Sequence, residues 1–392
     1  MLLVVLYHYW LHSGWWVIGF PGQLADESLE FVQYNGLLGV ELFFFISAFC
    51  LFYPHAKAMF GLAALPTVRH YASRRAIKIL PSYLLCLLVC GTVLSEFSPV
   101  GTQVGWFTDW GLHLTFLYNL LPETTGSFNG VLWSLAVEVQ FYVVFPLLAK
   151  AARRLPWITV AGMVGVAVGY RVWARTQLMA VFQHWDNMLP GFLDLFAVGM
   201  LAAYLVVLIR QRAAAAQRLA LAFTVLALAG FAALLTMFRW AYDLRFDPGQ
   251  PIVWQSYNRQ YLAMLFLCIT VPSVFAVEVW QKILANRALV FLSTISYNLY
   301  LWHLIIGLLI KKRDWLPAGT PDPTHDPQWQ EMYTVIGIAV SIVVATVITY
   351  AFERPLLRLG VRGSLQALRD RFTPRSATVA SKPVASVTGS TK

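Results

Sequence analysis

Charge is what this sequence has least of. Only 12% of its 392 residues are Asp, Glu, Lys or Arg, about half the ~25% of an average soluble domain, while 58% are hydrophobic. The shortage excludes an ordinary water-soluble globule and implies a polytopic membrane protein; the mean hydropathy of +0.62 agrees. Cysteine is scarce as well. Cys50, Cys86, Cys90 and Cys268 all lie inside apolar runs, which argues against a disulfide framework or a metal site and for small buried side chains. No cofactor or metal is expected. The sequence shows no internal repeat, and its first apolar run has no signal-peptide cleavage site, so it reads as retained.

The charge that is present is mainly positive, +10 net. Nucleic acid would be one partner for such a balance. The basic residues, however, cluster beside apolar runs, as topology signals and contacts to lipid headgroups do. Fifteen Trp and seventeen Tyr, many near the ends of those runs, fit interfacial belts.

A helix needs about 20 apolar residues to cross a bilayer. Ten stretches qualify: 1–20, 37–54, 77–97, 130–149, 156–174, 189–209, 218–238, 260–278, 289–310 and 331–352. A weaker run at 105–121, holding Asp109 and His113, is assigned as re-entrant or interfacial. Ten spans and a cytoplasmic start put the basic loops 57–75, 150–154, 210–218, 282–287 and 354–375 inside, as the positive-inside bias requires. The outer loops then carry Asp26, Glu27, Glu30, Glu96 and Asp186, with Lys311, Lys312 and Arg313 against the trend. The expected fold is therefore an all-α transmembrane helix bundle of about ten spans. Residues 1–360 form the membrane domain, and 361–392 a Ser-, Thr-, Ala-, Val- and Pro-containing cytoplasmic tail, largely disordered. A span that begins at its first residue lacks a cytoplasmic anchor, so an upstream segment is expected.

Within this apolar chain the buried polar groups are the candidates for chemistry. Ser134, Glu138 and Tyr142 recur every four residues in the run that begins at Asn129, and on a helix they form one stripe. A carboxylate at bilayer depth costs at least ~2.5 kcal/mol on insertion scales, so it faces protein or water. A structural carboxylate bonded to a neighbouring helix is the alternative reading. His8 in the first run offers a neutral imidazole able to take a proton from a hydroxyl; a satisfied packing histidine is the plainer role. Glu41 opens the second run, where an interfacial acid in contact with water is the competing assignment. Arg75 and Lys78 lie three apart on one helix face and suit a phosphate, although a lipid-binding anchor would look the same. Ser296, Tyr300 and His303 share a face of the ninth run, and Glu353–Arg354 closes the tenth, where a helix cap or lipid contact is the default.

Taken together and in this order, these pieces resemble the acyltransferase-3 membrane acyltransferases, which include O-antigen and Nod-factor acetylases. The resemblance covers about residues 1–360. Its most specific parts are the run from Trp133-Ser134 through Glu138 to Tyr142 and the run from Ser296-Tyr297 through Tyr300 to His303. Several positions depart from the family pattern: Lys78 stands where arginine is usual, Glu41 for aspartate, Ala48 for glycine and Val139 for a second glutamate.

The resemblance implies a multi-pass enzyme of the bacterial inner membrane. It would move an acyl group, acetyl by expectation, from cytoplasmic acyl-CoA to a hydroxyl of a carbohydrate, a lipid-linked glycan or another cell-envelope acceptor. It implies His8 as the catalytic residue, with Arg75 and Lys78 matching the family's basic pair and Glu138 its motif acid. With the polar groups above, the expected site has His8 and Glu138 as catalytic residues and Arg75, Lys78, Glu41, Ser134, Tyr142, Tyr300 and His303 as the substrate-binding set. Two other functions fit buried acids and histidines. One is a proton-coupled transporter, which such groups serve as a relay; the absence of matched half-repeats speaks against it. The other is a scaffold without chemistry, which leaves His8 and Glu138 unexplained.

Overall fold

The computed structural model describes residues 1–17, 29–94, 100–177, 179–247 and 249–358, with backbone alone for 179–182. Asp26, Glu27, Glu96 and the tail 361–392 lie outside the described residues. Apolar runs of this length have one way to satisfy their backbone in lipid, as helix. The described residues are helical almost throughout and contain no strand. In chain order the principal helices are α1 (Leu2–Ser13), α2 (Gly39–Met59), α3 (Val68–Leu88), α4 (Trp106–Leu114), α5 (Trp133–Arg154), α6 (Pro156–Ala174), α7 (Leu193–Arg210), α8 (Ala220–Asp243), α9 (Gln250–Phe275), α10 (Arg287–Lys312) and α11 (Pro327–Val347). Three of these helices start on a side-chain cap. Thr67 Oγ1 accepts from His70 N at 3.3 Å, Asn286 Oδ1 from Leu289 N at 3.0 Å, and Asp326 Oδ1 from Gln328 N at 3.0 Å.

Among the described residues eight helices are long and apolar enough to cross a bilayer; α9, bent by 119° into the short helix Glu278–Leu284, makes a ninth if the pair is one span. These match nine of the ten expected stretches. The first stretch differs. α1 stops at Ser13 because Gly14 turns into the left-handed region, φ 80°, and its N–H closes on Trp10 O. Its 12 residues measure about 18 Å, short of the ~30 Å hydrocarbon core.

The run 105–121 does not cross either. α4 has nine residues, and the chain then turns at Phe116, φ 57°. The segment dips between α3 and α5: the Phe116 ring stacks on Tyr83 at 4.5 Å, Tyr83 OH donates to His113 O, and Gln140 Nε2 donates to Phe116 O.

Packing joins α2 to α7, α8 to α9 and α10 to α11. α1 lies against α10 and α11 and is placed by two glycines. A Cβ on Gly36 would sit 2.1 Å from the carbonyl oxygen of Leu3, and one on Gly337 would meet the Tyr9 ring at 2.1 Å. The Tyr9 hydroxyl then reaches Ser341 Oγ at 3.0 Å and donates to His303 O at 3.3 Å. Lys311, on the acidic side of the bundle, has a local reason to be there. Its ammonium donates to His12 O at 2.8 Å, at the end of α1 where unpaired carbonyls favour a cation.

Candidate functional site

The stripe on α5 faces inward as its spacing requires. Ser134 and Tyr142 are buried and Glu138 half-buried. The Tyr142 hydroxyl donates to Glu138 Oε1 and lies 3.0 Å from Ser47 Oγ on α2. Ser134 Oγ stands 2.6 Å from Tyr300 OH on α10, which donates to Val131 O at 2.7 Å. These groups line a cavity of about 250 Å³ together with Arg75, Lys78 and the exposed thiol of Cys50. Its cations lie toward the basic end of the bundle.

Arg75 and Lys78 look alike in the sequence and behave differently in the fold. Arg75 lies over the Tyr142 ring, 5.5 Å from its centroid, and makes no ion pair among the described residues. Lys78 is engaged by Glu353, whose second oxygen accepts from Asn298 Nδ2 at 2.8 Å. Glu353 is not the interfacial cap that its position at the end of a run suggested. It is buried on a π-helical turn, Ile348–Glu353, a register change typical of functional sites that points the carboxylate at α3 and α10.

His8 is half-buried, with Nδ1 2.9 Å from Val4 O and 3.2 Å from Nε2 of the fully buried His303. Its own Nε2 bonds to no described residue and is not sealed in. His8 and Glu138 are not brought together: His8 is absent from the cavity wall, and Glu138 is bound to Tyr142. Tyr300 lines the cavity with Glu138, and its ring centroid is 5.9 Å from that of His303, one helical turn on, about 4.5 Å along the axis.

Glu41 is neither in water nor on the cavity wall. It is 1% exposed, accepts from Gln255 Nε2 at 2.6 Å and faces Arg259 Nε at 3.6 Å. Arg259 continues to Asp186 at 3.1 Å, and Arg171 pairs with Asp194 at 2.7 Å. The sequence reading passed over Arg171, Arg259 and Asp194. The signal for two of them was available, because Arg171 and Asp194 are ionisable residues inside apolar runs, the same criterion that picked out Glu138; Arg259 stands just before the run 260–278. Among the described residues no group of three or more His, Cys, Asp or Glu is placed to hold a metal ion.

A family model described as an acyltransferase domain matches residues 1–352. The chain is 28% identical over 157 residues to acyltransferase MdmB of Streptomyces mycarofaciens, covering 38% of each protein. It is 22% identical over 292 residues to O-acetyltransferase OatA of Staphylococcus aureus, covering 69% of this chain and 45% of that one. It is also 24% identical over 324 residues to putative acetyltransferase ORF330 of Acidianus two-tailed virus, covering 82% and 81%. The chain thus spans less than half the length of the first two relatives. No solved structure matches it.

Proposed function

Because the chain belongs to the acyltransferase-3 family and is a membrane acyltransferase, we propose that it passes an acyl group from cytoplasmic acyl-CoA to a hydroxyl of a carbohydrate or other cell-envelope acceptor. Relatives named acetyltransferase and O-acetyltransferase favour acetyl as the group and a hydroxyl as the acceptor. The family assignment removes the motive for the transporter reading. One observation carries the proposal: a cavity lined by Arg75, which has no ion-pair partner among the described residues, is also lined by Tyr300, whose ring neighbours His303, the partner of His8.

In this reading Arg75 takes a phosphate of the donor by charge-assisted hydrogen bonds. The pantetheine arm lies along Cys50, Ser47 and Glu138, and the thioester meets His8 by passing the Tyr300 ring. Glu138 holds the Tyr142 hydroxyl at the wall beside that path. His8 Nε2 takes the proton of the acceptor hydroxyl as its oxygen attacks the thioester carbonyl carbon. The oxyanion that forms accepts a hydrogen bond from the Tyr300 hydroxyl, which gives up its bond to Val131 O to make it. The carbon–sulfur bond then breaks, and the thiolate recovers the proton from His8. The acceptor comes from the acidic side, in a bacterial inner membrane, with 1–360 as the embedded domain and 361–392 as a cytoplasmic tail.

The test is His8→Ala in purified protein supplied with acetyl-CoA and a glycan acceptor. Loss of a general base lowers turnover by about 10²–10⁴-fold, with abundance and folding close to wild type. Normal turnover per folded molecule would remove His8 from the chemistry.

A further inference from the structure

We propose that His303 is the positioning residue that sets the tautomer and the aim of His8; this rests on the reading of His8 as the base. The assignment follows from where the hydrogens have to be. His303 Nδ1 lies 3.0 Å from Leu299 O and 2.9 Å from Tyr300 O. Two carbonyl oxygens can only accept, so this nitrogen carries the proton, and Nε2 of a neutral His303 is then an acceptor. The partner of that Nε2 is His8 Nδ1, 3.2 Å away.

His8 Nδ1 therefore faces two acceptors, His303 Nε2 and Val4 O at 2.9 Å. A lone pair there would be repelled by both, so Nδ1 holds the proton. The lone pair is left on His8 Nε2, the one ring nitrogen of the pair with no described partner. The base is thus prepared before substrate arrives.

Val4 and His303 divide the work. Val4 is on the same helix, one turn back, and its carbonyl favours the Nδ1–H tautomer wherever α1 goes. His303 is on α10 and ties the ring to the frame that also carries Tyr300. Tyr9, the residue after His8, donates to the His303 carbonyl at 3.3 Å, so backbone and ring are registered against the same residue. A carboxylate is the usual partner of a catalytic imidazole. An imidazole acceptor orients the ring without placing a further charge at membrane depth, where charge is costly. When His8 gains the acceptor's proton, its Nδ1–H bond to His303 becomes charge-assisted and strengthens, which favours the charged intermediate over the resting state.

The experiment compares His303→Ala, His303→Gln and His8→Ala in nanodiscs, with ¹⁵N spectra of the His8 ring in the wild type. Removing an orienting partner lowers kcat by about 10–100-fold, with KM for acetyl-CoA unchanged. Glutamine, whose side-chain oxygen reaches the place of Nε2, restores most of that loss. The wild-type spectrum shows the His8 proton on Nδ1. A proton on Nε2, a His303→Gln variant no better than His303→Ala, or wild-type kcat in His303→Ala while His8→Ala is inactive would each overturn the proposal. Activity retained in His8→Ala would instead overturn the reading beneath it. If His303→Ala fails to fold, the glutamine variant and the wild-type spectrum still decide.

Discussion

The molecule buries ionisable groups in two places and treats them in opposite ways. Between α6, α7, α9 and the start of α2, acid and base are matched: Arg171 with Asp194, and Arg259 with Asp186 and Glu41. Phe192 covers the Arg259 guanidinium at 3.9 Å, and none of these groups lines the 250 Å³ cavity. Between α1, α3, α5 and α10 the charged groups are only partly matched. Among the described residues Arg75 has no acid, Glu138 has a phenol for a partner, and His8 keeps one nitrogen open. Charge in an apolar helix marks a candidate site, but pairing and space decide between a site and a clasp. A buried pair roughly balances its own desolvation, so the first region fixes four helices together; the second holds polar groups in reserve for a substrate.

Breaking the clasp gives the largest effect on the fold. Asp194→Ala leaves Arg171 buried and unpaired and costs about 3–5 kcal/mol, read as lost folded protein, with turnover per folded molecule unchanged. Replacing Arg171 and Asp194 together by apolar residues of similar volume costs much less than either change alone, and equal losses would refute the pairing. Arg75→Ala acts in the other region: it removes about 1.5–3 kcal/mol of donor binding, a rise of about 10–100-fold in KM for acetyl-CoA, with melting unchanged. Gly36→Ala tests how α1 is seated. The new Cβ meets the Leu3 carbonyl, overpacking costs about 1–3 kcal/mol, and kcat drops further than stability because His8 is moved.

The smallest effect belongs to neither region. The exposed Asp326 carboxyl is held below its usual range, first by the Gly319 amide and then by those of Trp329 and Gln328. A lowered folded value means that its contribution is present above the ordinary carboxylate range and fades as pH falls through the folded value. Asp326→Ala therefore lowers melting slightly at neutral pH and by less in acid, while Asp326→Asn keeps most of the cap.

Helices were legible because apolar length in lipid has one solution, and the re-entrant placement of 105–121 was legible from the charge of its neighbours. The end of α1 was not read, although Gly14 stood in the sequence as its stop signal. The Ser134–Glu138–Tyr142 stripe was legible from period alone. Which cation is free was not, since Arg75 and Lys78 differ only through Glu353, 275 residues away along the chain from Lys78. The His8–His303 contact, separated by 295 residues, likewise depends on how α1 packs on α10, which no local pattern encodes.

Cys50 offers the most direct measurement. Its exposed thiol lines the cavity with Arg75 and Glu138, whereas Cys86 and Cys90 are buried. In a Cys268→Ala background, the alkylation rate of Cys50 is measured with and without CoA, in wild type, Arg75→Ala and the apolar Arg171/Asp194 double variant. A substrate cavity predicts that CoA protects Cys50 in the wild type and the double variant, and that Arg75→Ala loses the protection at the same concentration. Alkylation indifferent to CoA in the wild type would contradict the placement of the donor in this cavity.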